Sequence, residues 1–128
     1  MRLVFNILIA GVPWILLEGA DIDFNRDVRP ILSDRCFQCH GPSEKDRKAK
    51  MRLDEEEGIL TAFEGGDLDG SEAWSRINSD DPKEQMPPPK SHKELKPIEI
   101  ELIGRWIEQG AKWEGHWSYL PVLKPAIP

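Results

Sequence analysis

The sequence predicts an all-α fold of three to four short helices joined by long loops. Two amphipathic stretches, one near each end, and almost no strand-like alternation carry that reading. The third observation is the length of the loops. A compact domain within 128 residues does not carry so much irregular chain unless something other than secondary structure organises it.

The first stretch follows Asp23, a residue suited to an N-cap. Phe24, Val28, Ile31 and Leu32 keep the i, i+4, i+7, i+8 spacing of a helix with one buried face. Pro30 falls inside it and is expected to kink it. The helix delivers the chain to Cys36. Residues 41–50 are polar and basic and read as a loop, followed by a short extended piece at Met51-Arg52-Leu53. The acidic run Asp54-Glu55-Glu56-Glu57 reads as a solvated turn. Gly65-Gly66 through Gly70 is turn material. Ser71 is placed as an N-cap, with Glu72 in the first turn and Trp74 and Ile77 on one face of a short helix. Residues 78–90 form a second long loop, ending in Met86-Pro87-Pro88-Pro89.

The last helix is the clearest element. Pro97 suits its first position, Ile98, Leu102, Ile103, Trp106 and Ile107 form its apolar stripe, and Gly110 stops it. The segment 113–128 holds three Pro and two Trp, the composition of a linker or a surface strap. At the other end, Met1-Arg2 followed by the apolar run from Leu3 to Leu17 has the shape of a secretory signal. Ala20 suits a cleavage site, and Glu18 does not. The expected organisation is a signal or uncleaved anchor at 1–20, a domain at 21–114 and a Pro-rich tail at 115–128, in an exported protein of the periplasm or cell envelope.

Charge narrows the partners. With 23 acidic against 17 basic residues the chain is formally −6, which argues against binding a nucleic-acid backbone. The chain has only two Cys, three apart, so it lacks a disulfide framework.

Those two Cys carry the chemistry. Cys36-Phe37-Gln38-Cys39-His40 is the C-x-x-C-H pattern of c-type haem attachment. One helical turn places both thiols on one side, where each adds across a haem vinyl group to form a thioether. The adjacent imidazole then offers an axial ligand to the iron. A thioredoxin-like dithiol needs a strand–helix context that is missing here, and a zinc site needs further N or S ligands. A pair of merely structural thiols is the remaining alternative. For the sixth ligand, Met86 lies 46 residues after His40 on a proline-stiffened loop. A thioether suits ferrous iron and raises the reduction potential relative to a second His. Met86 as an exposed residue in a polyproline stretch, Met51, and a bis-His site through His92 or His116 stay open on the residues alone. Phe24, Trp74 and Trp106 are candidates to lie on the ring, or plain core. Arg35, Arg52 and Lys50 are candidates for its propionates.

In order, Asp23 to Pro42, Arg52-Leu53-Asp54, Ser71 with Arg76-Ile77, Met86-Pro87-Pro88, Trp106 to Ala111 and His116-Trp117 resemble the planctomycete-type cytochrome c domain. The likeness spans about residues 22–128. It implies a class I cytochrome c-like fold in which the first and last helices cross beside one covalent haem. It also implies His40 and Met86 as the axial pair, with Cys36 and Cys39 as the attachment points. The function implied is electron transfer by a monohaem protein, not an enzyme, with no small-molecule substrate at the iron, redox proteins as partners, and a monomeric state. In that family this domain usually opens a longer exported protein. The alternative is therefore a haem-bearing docking or sensory module truncated from a larger exported enzyme.

Overall fold

A computed structural model describes residues 19–122, so most of the expected signal and the last six residues of the tail lie outside it. A π-helical turn, Phe24–Val28, leads into α1 (Arg29–Arg35). Then come α2 (Phe37–His40), α3 (Glu56–Ala62), α4 (Glu72–Ile77) and α5 (Pro97–Glu108). Short 3₁₀ turns occupy Pro89–Ser91 and Trp117–Tyr119. The described residues contain no strand, so the fold is all-α as the periodicity predicts.

The first helical run starts where the sequence places it. The Asp23 carboxylate accepts the Arg26 N–H at 2.7 Å, and the Asp23 N–H donates to Asp27 at 2.9 Å. The kink expected at Pro30 takes a specific form. Its ring would collide with the Arg26 carbonyl in a regular helix, and a wider turn, closed by the Arg29 N–H on the Phe24 carbonyl, relieves this before α1 begins.

The π-helical turn packs on α5, and the two helical runs point in opposite directions. Phe24 meets Trp106 with ring centroids 5.5 Å apart, and at the other end Arg35 meets Glu99 at 3.0 Å. Phe63 closes on the other face of this pair, edge-on to Trp106 at 5.3 Å. All three rings are buried, and each phenylalanine contributes on the order of 2–3 kcal/mol by leaving water. The Trp106 indole N–H is satisfied by the Lys112 carbonyl at 3.0 Å.

Helix α4 docks on α5 at a glycine. A Cβ on Gly104 would come within 2.8 Å of the Trp74 ring tip, so only a residue without a side chain lets the ring lie there. Gly110 ends α5 with φ of +106°, and the Ala111 N–H folds back onto the Trp106 carbonyl at 2.9 Å.

Four local expectations need correction. The acidic run is not simply a solvated turn: Glu56 and Glu57 form the first turn of α3, where carboxylates favour the helix N-terminus, and Ile59 and Ala62 are its buried face. Residues 51–53 are irregular rather than strand-like. Ser71 occupies the N-cap position of α4 but does not cap it. Its buried hydroxyl accepts the Glu64 N–H at 2.8 Å and donates to the Asp67 carbonyl at 2.7 Å, tying the glycine-rich turn together. In α5, Ile98 departs from the stripe and is 56% exposed.

The start of the tail acts as a strap. The Trp113 ring sits 6.5 Å from Phe24, Asn25 donates to the Gly115 carbonyl at 2.9 Å, and Arg29 donates to that of Glu114 at 2.6 Å. Beyond it, Trp117, Tyr119, Leu120 and Val122 are exposed. Among the described residues no helix is long and apolar enough to cross a membrane.

Candidate haem-binding cleft

The attachment motif continues α1 through a break. Cys36 still donates its N–H to Leu32 at 2.8 Å, and its own carbonyl accepts from Cys39 at 3.1 Å and His40 at 2.8 Å. This single turn brings Cys36, Cys39 and His40 onto the wall of one narrow cleft, whose opposite wall is Met86, Pro87 and Pro88. Both thiols are unbridged.

A second cleft, of about 300 Å³, opens on the core side. Its lining is largely apolar, with Met51, Leu53, Ala62, Ala73 and Ile77 among its residues. The two lining sets share His40 and Met86 and no other residue. An imidazole and a thioether thus stand at the junction of a thiol-lined slot and an apolar one.

The His40 side is stitched from several directions. Its carbonyl accepts the Leu53 N–H at 2.7 Å, and the Cys39 carbonyl accepts the Lys48 N–H at 2.7 Å, which draws the loop 41–53 beneath the motif. Arg47 reinforces the loop by donating to the Gly41 and Pro42 carbonyls. Ala49 and Lys50 both take left-handed backbone angles, with φ of 52° and 53°, to turn Met51 back toward the cleft.

Burial pushes the His40 imidazole below its ordinary pKa, opposed by the nearby Lys48 backbone, so the ring stays neutral at neutral pH. Its Nδ1 is buried without a hydrogen bond of good geometry to any described residue. Burial, helped by the neighbouring Cys39, pushes the Cys36 thiol up to about 12, so it is held protonated.

Met86 is held differently. Its N–H donates to the carbonyl of Arg76 at the end of α4, 3.0 Å away. The Arg76 guanidinium reaches Glu72 in its own helix at 2.8 Å and Glu84 in the Met86 loop at 3.0 Å. Arg76 also lines the core-side cleft. Sequence reasoning gave it no role, although the Glu72–Arg76 spacing of four on a helix is a readable pairing signal.

The other candidates separate. Met51 shares the core-side cleft with His40 and Met86. His92 is exposed and borders a groove on another side of Met86. His116 is exposed in the tail, with Nδ1 2.8 Å from the Ser118 hydroxyl. Phe24 and Trp106 belong to the core and line neither slot, and Trp74 lies over Gly104. Of the propionate candidates, Arg35 is paired with Glu99 and Asp34, and Arg52 with Asp54 and Glu55. Lys50 is exposed and lines a neighbouring groove.

The donor set fits a haem c: two thiols one turn apart, a neutral imidazole beside them, and an apolar slot between that imidazole and a thioether. These features are the ones a c-type cytochrome uses to hold its haem. Residues 36–90 match the family model described as Planctomycete cytochrome C. The match runs from Cys36 through the Met86-Pro87-Pro88-Pro89 segment, covering both walls of the cleft. No curated protein and no solved structure gives a significant match.

Proposed function

We propose that this protein is a monohaem electron carrier with a class I cytochrome c-like arrangement. In this reading Cys36 and Cys39 hold the haem through thioethers, and His40 Nε2 and Met86 Sδ are the axial pair. The observation that carries it is the sharing of His40 and Met86 alone by the thiol-lined and apolar slots. When bound, the haem supplies a one-electron ferrous–ferric couple.

The chain's own residues do the rest. His40 is kept neutral by burial, the protonation state in which an imidazole binds a metal. A hydrogen bond from Nδ1 to the nearby Lys48 carbonyl, not formed with good geometry here, would fix the tautomer that leaves Nε2 free. Leu53, Ala62, Ala73 and Ile77 keep water from the core-side slot. Met86 would supply a soft sulfur ligand, which favours the reduced state. With His40 and Met86 both held to the iron, small substrates would find no open coordination position, which favours transfer over catalysis. We place the protein outside the cytoplasm, with its haem domain at 21–114 and redox proteins as its partners.

The test is the visible spectrum of the protein exported alongside haem-attachment machinery, before and after dithionite. Sharp reduced bands and a weak oxidised thioether-to-iron band at the red end support His–Met ligation. A haem protein without the red-end band removes Met86 from the axial pair.

A further inference from the structure

We propose that Arg76 is a positioning residue for the sixth ligand, acting as a salt-sensitive latch through Glu84; this rests on Met86 being that ligand. The loop from Ser79 to Gln85 folds on Asp81, whose carbonyl accepts from Glu84 at 3.0 Å and Gln85 at 2.8 Å, and whose carboxylate accepts the Lys83 N–H at 2.9 Å. A loop folded on itself still has to be fixed to the body of the protein. Arg76 does this twice at the cleft edge: its carbonyl takes the Met86 N–H, and its guanidinium takes the Glu84 carboxylate at 3.0 Å.

The second guanidinium arm holds Glu72 within α4, with Nε and Nη2 both on one carboxylate oxygen at 3.0 and 2.8 Å. This arm is separate from the Nη1 that reaches Glu84, so the Glu72 contact stays within α4. All three side chains are partly exposed, so dissolved salt screens both pairs. The two glutamates are accordingly not equivalent. Glu84 joins the helix to the ligand loop, whereas Glu72 is an ordinary i, i+4 pair.

The experiment measures carbon monoxide association with the ferrous holoprotein, at low and high salt, in the parent and in Met86→Ala, Glu84→Gln, Glu72→Gln and Arg76→Met. Hydrogen exchange at the Met86 amide gives a second readout. Carbon monoxide waits for Met86 to leave, so its rate reports how often the loop opens. Met86→Ala sets the fully open limit. Glu84→Gln and Arg76→Met are expected to speed binding and amide exchange about two- to fivefold at low salt. In the parent, high salt is expected to reproduce that gain and, in both variants, to add little. Glu72→Gln is expected to stay close to the parent.

Equal effects of Glu84→Gln and Glu72→Gln would mean that the arginine only stabilises α4, which overturns the latch. No effect of Glu84→Gln, with Met86→Ala fast, overturns it as well. If Met86→Ala itself binds no faster than the parent, the ligand assignment fails first, and the two failures are distinguishable.

Discussion

The two walls of the cleft are built on different principles. The wall bearing Cys36, Cys39 and His40 continues a helix, and the loop beneath it is fastened by backbone hydrogen bonds to the motif itself, at 2.7 Å each for Lys48 and Leu53. The wall bearing Met86 is a loop, fastened at Met86 to α4 by a single backbone hydrogen bond, with one partly exposed ion pair beside it. A chain can hold one wall of a cleft rigidly and let the other yield, because the cost of moving each is set by what fastens its backbone.

The sharpest way to break the contrast is to remove attachment altogether. Replacing both Cys36 and Cys39 with Ser is expected to abolish covalent haem, read as loss of the haem-stained band on a denaturing gel. His40→Ala should come next: even where some haem is attached, the sharp reduced bands are expected to be lost. Met86→Ala should be milder. It is expected to keep the covalent haem while losing the red-end band and lowering the reduction potential, measured by voltammetry. If Met86→Ala instead blocked attachment, the claim that the two walls act separately would fail.

Smaller effects sharpen the picture of the frame behind the cleft. Gly104→Val is expected to cost about 1–3 kcal/mol of stability in denaturant titration, because the new side chain meets the Trp74 ring and the ring must shift. The smallest expected effect is in acid. Burial pushes the Glu99 carboxyl up, but Arg35 and the Lys96 backbone N–H outweigh it and hold it below the ordinary carboxylate range. Its stabilising contribution is therefore complete above that range and is lost as pH falls through the lowered value. Thermal melts from about pH 6 to about pH 3 should show a shallower acid loss in Glu99→Gln than in the parent.

The same asymmetry decided what could be read from the sequence. Local features were legible: the Asp23 cap, the α5 stripe with its Pro97 start and Gly110 stop, and the attachment motif all depend on residues within a turn or two. Helix α3 was missed because Gly58 and the acidic run mask a short apolar face of Ile59 and Ala62, which only tertiary packing makes decisive. Ser71 was given the right position and the wrong partner, since its hydroxyl answers to Glu64 and Asp67 across a turn. That Met86 stands across the cleft from His40 agrees with the expectation from its flanking prolines and the family resemblance, whereas its ligand role stays a proposal. Arg76 and Glu84 were not legible, because their pairing exists only once the loop has folded back. Phe24 and Trp106 lie in the core rather than along the slot because the first and last helices use those rings to meet each other.

The most direct test of the central claim is the intact mass of the exported protein made with the attachment machinery, run beside a haem-stained denaturing gel. The account predicts a chain heavier by one haem that stains after denaturation, and a Cys36→Ser, Cys39→Ser chain that does neither. A parent chain of unmodified mass with no haem stain would contradict it.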